Sequence, residues 1–195
     1  MPIYCIAGLG NPGQEYAATR HNVGFRVVER LAGDHGTHIR RPEFGALTAT
    51  VMVGRTEVLL MKPQLYMNRS GRCLSAALTS LDIEPAHLLV AYDDADLPLG
   101  KVRVRAGGGS GGHRGVQSIM DELGCDAFAR VRLGVGRPSQ EEALADFVLA
   151  EFSAAESAGV ALLVERGIGA ARMLIEQGAT AAARAYNGLP AVDIE

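Results

Sequence analysis

The sequence has no apolar run near the roughly 20 residues needed to cross a bilayer, so no membrane span is expected. Cysteine is sparse. Cys5, Cys73 and Cys125 stand far apart with no CxxC pair, which argues against a disulfide framework or a cysteine zinc site. A reducing cytosol is the simplest setting for such a chain. Lysine is almost missing: Lys62 and Lys101 are the only two, and arginine carries the remaining positive charge. There is no global excess of positive charge either, because the net charge is -3. Any grip on nucleic acid must therefore come from a local concentration of cations. One exists between Lys101 and Arg114, where four basic residues occur and no acidic one. The opening MPIYCIAGLG lacks a basic leader and runs directly into Gly and Pro, so it reads as a first strand rather than a signal peptide.

What is present fits one globular domain over 1–195. The 195 residues are enough for a sizeable core, and 48% hydrophobic with 21% charged suits a folded protein. A short apolar run at 3–8, closed by Gly, predicts a buried strand. A polar loop follows over 9–21, and the spacing of Val23, Val27, Val28 and Leu31 predicts a helix over 22–33. ALTATVMV (46–53) and EVLLMK (57–62), joined at Gly54-Arg55, predict a hairpin. A helix is expected over 68–81 with Asn68 as its cap. Strands are expected at 87–92, 101–105 and 128–135, and a helix at about 115–123. The tail over 141–185 reads as helical, although Gly159, Gly167, Gly169 and Gly178 argue against one unbroken helix. Helices interspersed among strands predict an α/β fold, a three-layer domain, and the hairpin makes its twisted sheet mixed.

Several motifs carry chemistry. Gly8-Leu9-Gly10-Asn11-Pro12-Gly13 matches the glycine pattern of a dinucleotide site, but no helix opens at its last glycine and no acidic residue ends a second parallel strand. It reads better as a tight loop that sets Asn11 at the strand end. His21, between Arg20 and Asn22, lies at a helix start, and imidazole is the side chain suited to proton transfer near neutrality. In LMKPQLYMNRSG, Asn68 is either a plain helix cap or an amide for a polar substrate. Asp93-Asp94-Ala95-Asp96 follows a strand. A metal there would need further ligands, and Leu97-Pro98-Leu99-Gly100 supply none, so an Asp orienting a His is the more economical reading. GGGSGGHRG (107–115) is a backbone cradle for an anion or a flexible turn. Ser110 lacks an elbow motif. Arg103 with Arg105, and Arg130 with Arg132, each share a strand face by period 2. Together they would form either a basic strip for phosphates or a solvated sheet face.

In this order, GLGNPG, TRHNVG, KPQxYMNxSG, DDxDLPxGxxRxR, GGGxGGHxG and RxRxGVGRP resemble the bacterial peptidyl-tRNA hydrolase family over about residues 3–138. The resemblance implies cleavage of the ester between a peptide, or an N-blocked amino acid, and the 3′ ribose of tRNA. It implies a cytoplasmic monomer with peptidyl-tRNA as its partner, no cofactor and no metal. It makes His21 the catalytic base and Asp93 its partner. Asn11, Tyr16, Tyr66, Met67 and Asn68 become substrate-binding residues, and Arg105 and Arg132 the tRNA-phosphate contacts. Two positions depart from the pattern. Arg114 stands where the family commonly has Asn, and a guanidinium has no acceptor with which to replace that amide. Leu65 stands where Thr is frequent. Two rivals stay open: a non-catalytic RNA-binding protein on the same fold, and a peptidase, which would need metal ligands or a nucleophile.

Overall fold

The short apolar run near the N-terminus forms strand β1 (Tyr4–Gly8), and it lies inside the sheet because both of its faces are apolar. The structure, a computed structural model, describes residues 3–138 and 143–192. The expected start of the helical tail at 141 lies outside the described residues. After β1 come helix α1 (Val23–Asp34) and strands β2 (Arg41–Glu43), β3 (Ala46–Val53) and β4 (Thr56–Pro63). Helix α2 (Ser70–Ser80) leads to β5 (Leu88–Asp94) and β6 (Val102–Arg105). Helix α3 (Arg114–Leu123), β7 (Ala129–Gly134) and helices α4 (Leu144–Leu149), α5 (Ser157–Gln177) and α6 (Ala179–Tyr186) complete the order.

The strand order is β2-β3-β4-β1-β5-β7-β6. The pairs β4–β1, β1–β5 and β5–β7 are parallel, while β2–β3, β3–β4 and β6–β7 are antiparallel. The sheet is therefore mixed, as the hairpin requires. Alternation divides its core in two. Ile6, Leu60, Leu89, Val131 and Leu133 pack with Val27, Leu31, Leu163 and Ile168 of α1 and α5. Cys5, Met61, Leu88, Val90 and Tyr92 pack with Leu74, Ala77, Val116 and Ile119 of α2 and α3. This is the three-layer α/β arrangement.

Three expectations need correction. Strand β2 was not expected. Its sequence, Arg-Pro-Glu, is polar, and its proline is tolerated because the strand is at the sheet edge. The tail is indeed not one unbroken helix, but Gly159, Gly167 and Gly169 do not break it: α5 runs through all three for 21 residues. Added Cβ atoms would fall 2.8 Å from Leu99, 2.9 Å from Leu133 and 2.2 Å from the Tyr186 hydroxyl, so close packing rather than helix breaking explains these glycines. Only Gly178 ends the helix. Asn68 does not cap α2, which begins at Ser70; Asn68 lies in a preceding 3-10 turn, Met67–Arg69.

Two glycines set the geometry of the site. A Cβ on Gly8 would lie 2.1 Å from the Gly24 carbonyl oxygen, and one on Gly24 would lie 2.4 Å from that of Ala91. Neither position has room for a side chain. The first turn of α1 therefore rests directly on the backbones of β1 and β5.

Candidate active site

The carboxyl ends of the parallel strands open into a cleft of about 840 Å³. Ligands of open α/β sheets bind at this edge. His21 sits in the 3-10 turn Arg20–Asn22 that enters α1, and Asp93 lies near the end of β5. Because Gly8 and Gly24 bring α1 onto the sheet, these two residues meet although they are 72 positions apart in the chain. His21 Nδ1 lies 2.8 Å from Asp93 Oδ1.

His113 was not anticipated as a site residue. Its Nε2 lies 3.1 Å from the same Asp93 oxygen, and its ring is tilted against Tyr92, with centroids 4.8 Å apart. It also caps α3: the Val116 N–H donates to His113 Nδ1 at 3.3 Å. An Nδ1 that accepts leaves the proton on Nε2, where it donates to Asp93. His21 likewise donates from Nδ1, so its Nε2 is left as an acceptor facing the cleft. Asp93 is almost fully buried. Burial alone would raise its carboxyl, but the electrostatic attraction of the His21 and His113 ring N–H groups and the hydrogen bonds they donate outweigh it and hold the group well below the usual carboxylate range.

Ligand atoms that the residues following Asp93 do not supply come instead from two histidines distant in sequence. The ligand atoms of His21, Asp93 and His113 all lie within 4.8 Å of one another, which a divalent cation could exploit. The two N–O separations also suit hydrogen bonds, and the second nitrogen of His113 is already used by the helix start.

Asn11 is oriented by two neighbours. Its side-chain Oδ1 accepts from Met67 N–H at 2.8 Å, so its Nδ2 is turned away from that bond. Its backbone is held by Asn22, whose Oδ1 accepts from Asn11 N–H at 2.8 Å and whose Nδ2 donates to Asn11 O at 2.9 Å. Asn22 is a second residue missed from the sequence. Asn68 is exposed on the cleft wall, Met67 is buried beside it, and Tyr66 is 58% exposed at the mouth. Tyr16 ends the 3-10 turn Gln14–Tyr16 and is not among the residues lining the cleft. Leu144, Ala145, Val148 and Leu149 supply an apolar wall. That wall is tied to the histidine loop by Arg20, which pairs with Glu156 at 2.9 Å and lies over the rings of Phe147 and Phe152.

The four-arginine strip is only partly a surface. Register sets Arg103 opposite Arg132 and Arg105 opposite Arg130, like charges that would repel if left alone. Arg130 is 2% exposed; its guanidinium donates to Gly109 O at 2.6 Å and lies over the Phe128 ring. It holds the glycine loop rather than facing solvent. Arg132 Nε bonds Asp94, which offsets part of the repulsion, while Arg105 is exposed on the cleft. The hydroxyl in the glycine loop is engaged by a neighbour, and the first cysteine is buried in the core. Ser110 Oγ bonds Gln117 at 2.8 Å, and burial pushes the Cys5 thiol up to about 12.

A family profile described as "Peptidyl-tRNA hydrolase" matches residues 5–193. Similar proteins include "Peptidyl-tRNA hydrolase" of Anaeromyxobacter sp. (strain K), 45% identical over 93% of each chain. Another is "Peptidyl-tRNA hydrolase" of Bacillus subtilis (strain 168), 42% identical over 84% of this chain and 87% of the relative. A crystal structure of peptidyl-tRNA hydrolase from Acinetobacter baumannii superposes with a TM-score of 0.89, at 33% identity and 95% coverage of each chain.

Proposed function

The chain belongs to the peptidyl-tRNA hydrolase family, and from that premise we propose that it hydrolyses peptidyl-tRNA by a metal-free mechanism in which His21 activates water. The observation that carries the mechanism is the 2.8 Å bond from His21 Nδ1 to a buried, ionised Asp93. It fixes the tautomer, leaves Nε2 free to accept a proton and supports the imidazolium that forms. Water gives its proton to His21 Nε2 and its oxygen to the ester carbonyl carbon. The Nδ2 of Asn11, turned away from Met67, donates to the oxyanion, with Asn68 beside it. The bond to the ribose oxygen then breaks, and that oxygen takes the proton back from His21. The products are the peptide carboxylic acid, which loses its proton to solvent, and tRNA with a free 3′ hydroxyl.

His113 holds Asp93 from the other side and acts as a positioning residue. Tyr66 and Met67 line the peptide path, with Tyr16 at its approach, and Arg105 and Arg132 take the tRNA phosphates. The protein works in the cytoplasm as a monomer. The non-catalytic RNA-binding alternative is disfavoured, because a binder has no use for a histidine, a buried carboxylate and an oriented amide converging on one cleft.

The test is turnover of N-acetyl-aminoacyl-tRNA beside free aminoacyl-tRNA and a plain peptide, each with and without EDTA. Release from the N-blocked ester alone, undiminished by EDTA, is expected. Loss of activity with EDTA and its return with a divalent ion would instead make His21, Asp93 and His113 ligands. Asn11→Ala removes one oxyanion donor and is expected to lower kcat by about 10²- to 10³-fold. Steady-state kinetics should show that loss in kcat rather than in KM.

A further inference from the structure

Arg114 stands at the first position of α3, exposed and on the cleft wall. That is an unfavourable place for a cation of purely structural use, because a helix N-terminus favours negative charge. No acidic side chain pairs with Arg114 among the described residues. Ser118 follows one turn later on the same helix face. It is pressed against α2: the Gly71 N–H donates to Ser118 Oγ at 3.1 Å, and a Cβ on Gly71 would lie 2.1 Å from the Ser118 carbonyl oxygen. Gly115 likewise packs closely on Met67, where a Cβ would lie 2.5 Å from the sulfur. The start of α3 therefore abuts the start of α2. There Arg69 and Arg72 are exposed and likewise form no ion pair among the described residues, and α2 itself, SGRCLSAALTS, contains no acidic residue. In a chain of net charge -3, this cluster is not a by-product of basic composition.

We propose that Arg114, flanked by Arg69 and Arg72, forms a second phosphate-binding rim that grips the RNA strand entering the cleft. This rim is separate from Arg105 and Arg132 on the sheet edge, and its assignment rests on the reading of the substrate as peptidyl-tRNA. The reacting ester is on the terminal ribose, whose 5′-phosphate lies one sugar away. Arg114 directly follows His113, which bonds Asp93, and it lines the same cleft as His21 and Asp93. Several guanidiniums spread along a rim suit a polyanion better than the single carboxylate of a peptide.

The experiment is the affinity for deacylated tRNA, followed by fluorescence anisotropy as salt rises. Arg114→Ala should make the slope of log affinity against log salt shallower by about 0.7, the value for one single-strand phosphate contact. Arg69→Ala with Arg114→Ala should remove about twice that. Arg114→Lys should keep the parental slope, and Arg55→Ala, in the β3–β4 turn, is the control that leaves it unchanged. Circular dichroism confirms folding, which losing a cation from a helix start should not impair. An Arg114→Ala slope equal to the parent's overturns the proposal, even if preference for acidic peptides changes. So does a lysine variant that behaves like alanine. A parent protein that releases no peptide from N-acetyl-aminoacyl-tRNA would instead fail the functional reading, whatever the slopes.

Discussion

Asp93→Asn is expected to lower kcat/KM for peptide release by roughly 10²- to 10⁴-fold, the share that a positioned general base supplies. Asp93 accepts from His21 Nδ1 at 2.8 Å and from His113 Nε2 at 3.1 Å through one oxygen. An amide at this position can present its NH₂ to His21. The ring then keeps its proton on Nε2, the nitrogen that should accept from water, so the geometry survives while the tautomer is wrong. Stability should respond in a defined direction. The His21 and His113 contacts hold the Asp93 carboxyl below the usual carboxylate range, against the effect of burial. Its ionised form therefore stabilises the fold above about pH 4, the ordinary aspartate value, and this contribution fades as pH falls through the depressed value. Urea unfolding at pH 6, 4 and 3 should show the parent losing more of its stability on acidification than Asp93→Asn does. An equal or greater loss in the variant would mean that this carboxyl is not depressed.

His21→Ala is expected to cause a loss of similar size, roughly 10²- to 10⁴-fold in kcat, because among the described residues no other side chain lining the cleft offers a free imidazole nitrogen to water. His113 is no substitute. Its Nδ1 accepts from the first turn of α3 and its Nε2 faces Asp93. The defect should appear under single-turnover conditions, in the chemical step, with tRNA affinity close to the parent's.

The strands legible in the sequence are those with two apolar faces or clear alternation. β1, β5 and the β3–β4 hairpin lie within a residue or two of where their patterns put them. Strand β2 was hidden because an edge strand can be polar and hold a proline. The persistence of α5 was hidden because its glycines answer to Leu99, Leu133 and Tyr186, which are neighbours in space and not in sequence. Within the site, His21, Asp93, Asn11 and Asn68 each carried a local signal at a strand end or helix start. His113 carried one as well, a histidine closing a glycine loop at a helix start, but its value depends on meeting Asp93 across 20 positions. Arg130 shows the opposite limit. Period 2 gave its sheet face correctly, yet nothing local says that Gly109 closes over it.

His21 carries the proposed chemistry. Single-turnover release of N-acetyl-amino acid from tRNA, measured in EDTA for the parent and for His21→Ala side by side, tests it. The predicted result is a parent at full rate and a variant slower by roughly 10²- to 10⁴-fold. A variant releasing product at near-parental rate would contradict it.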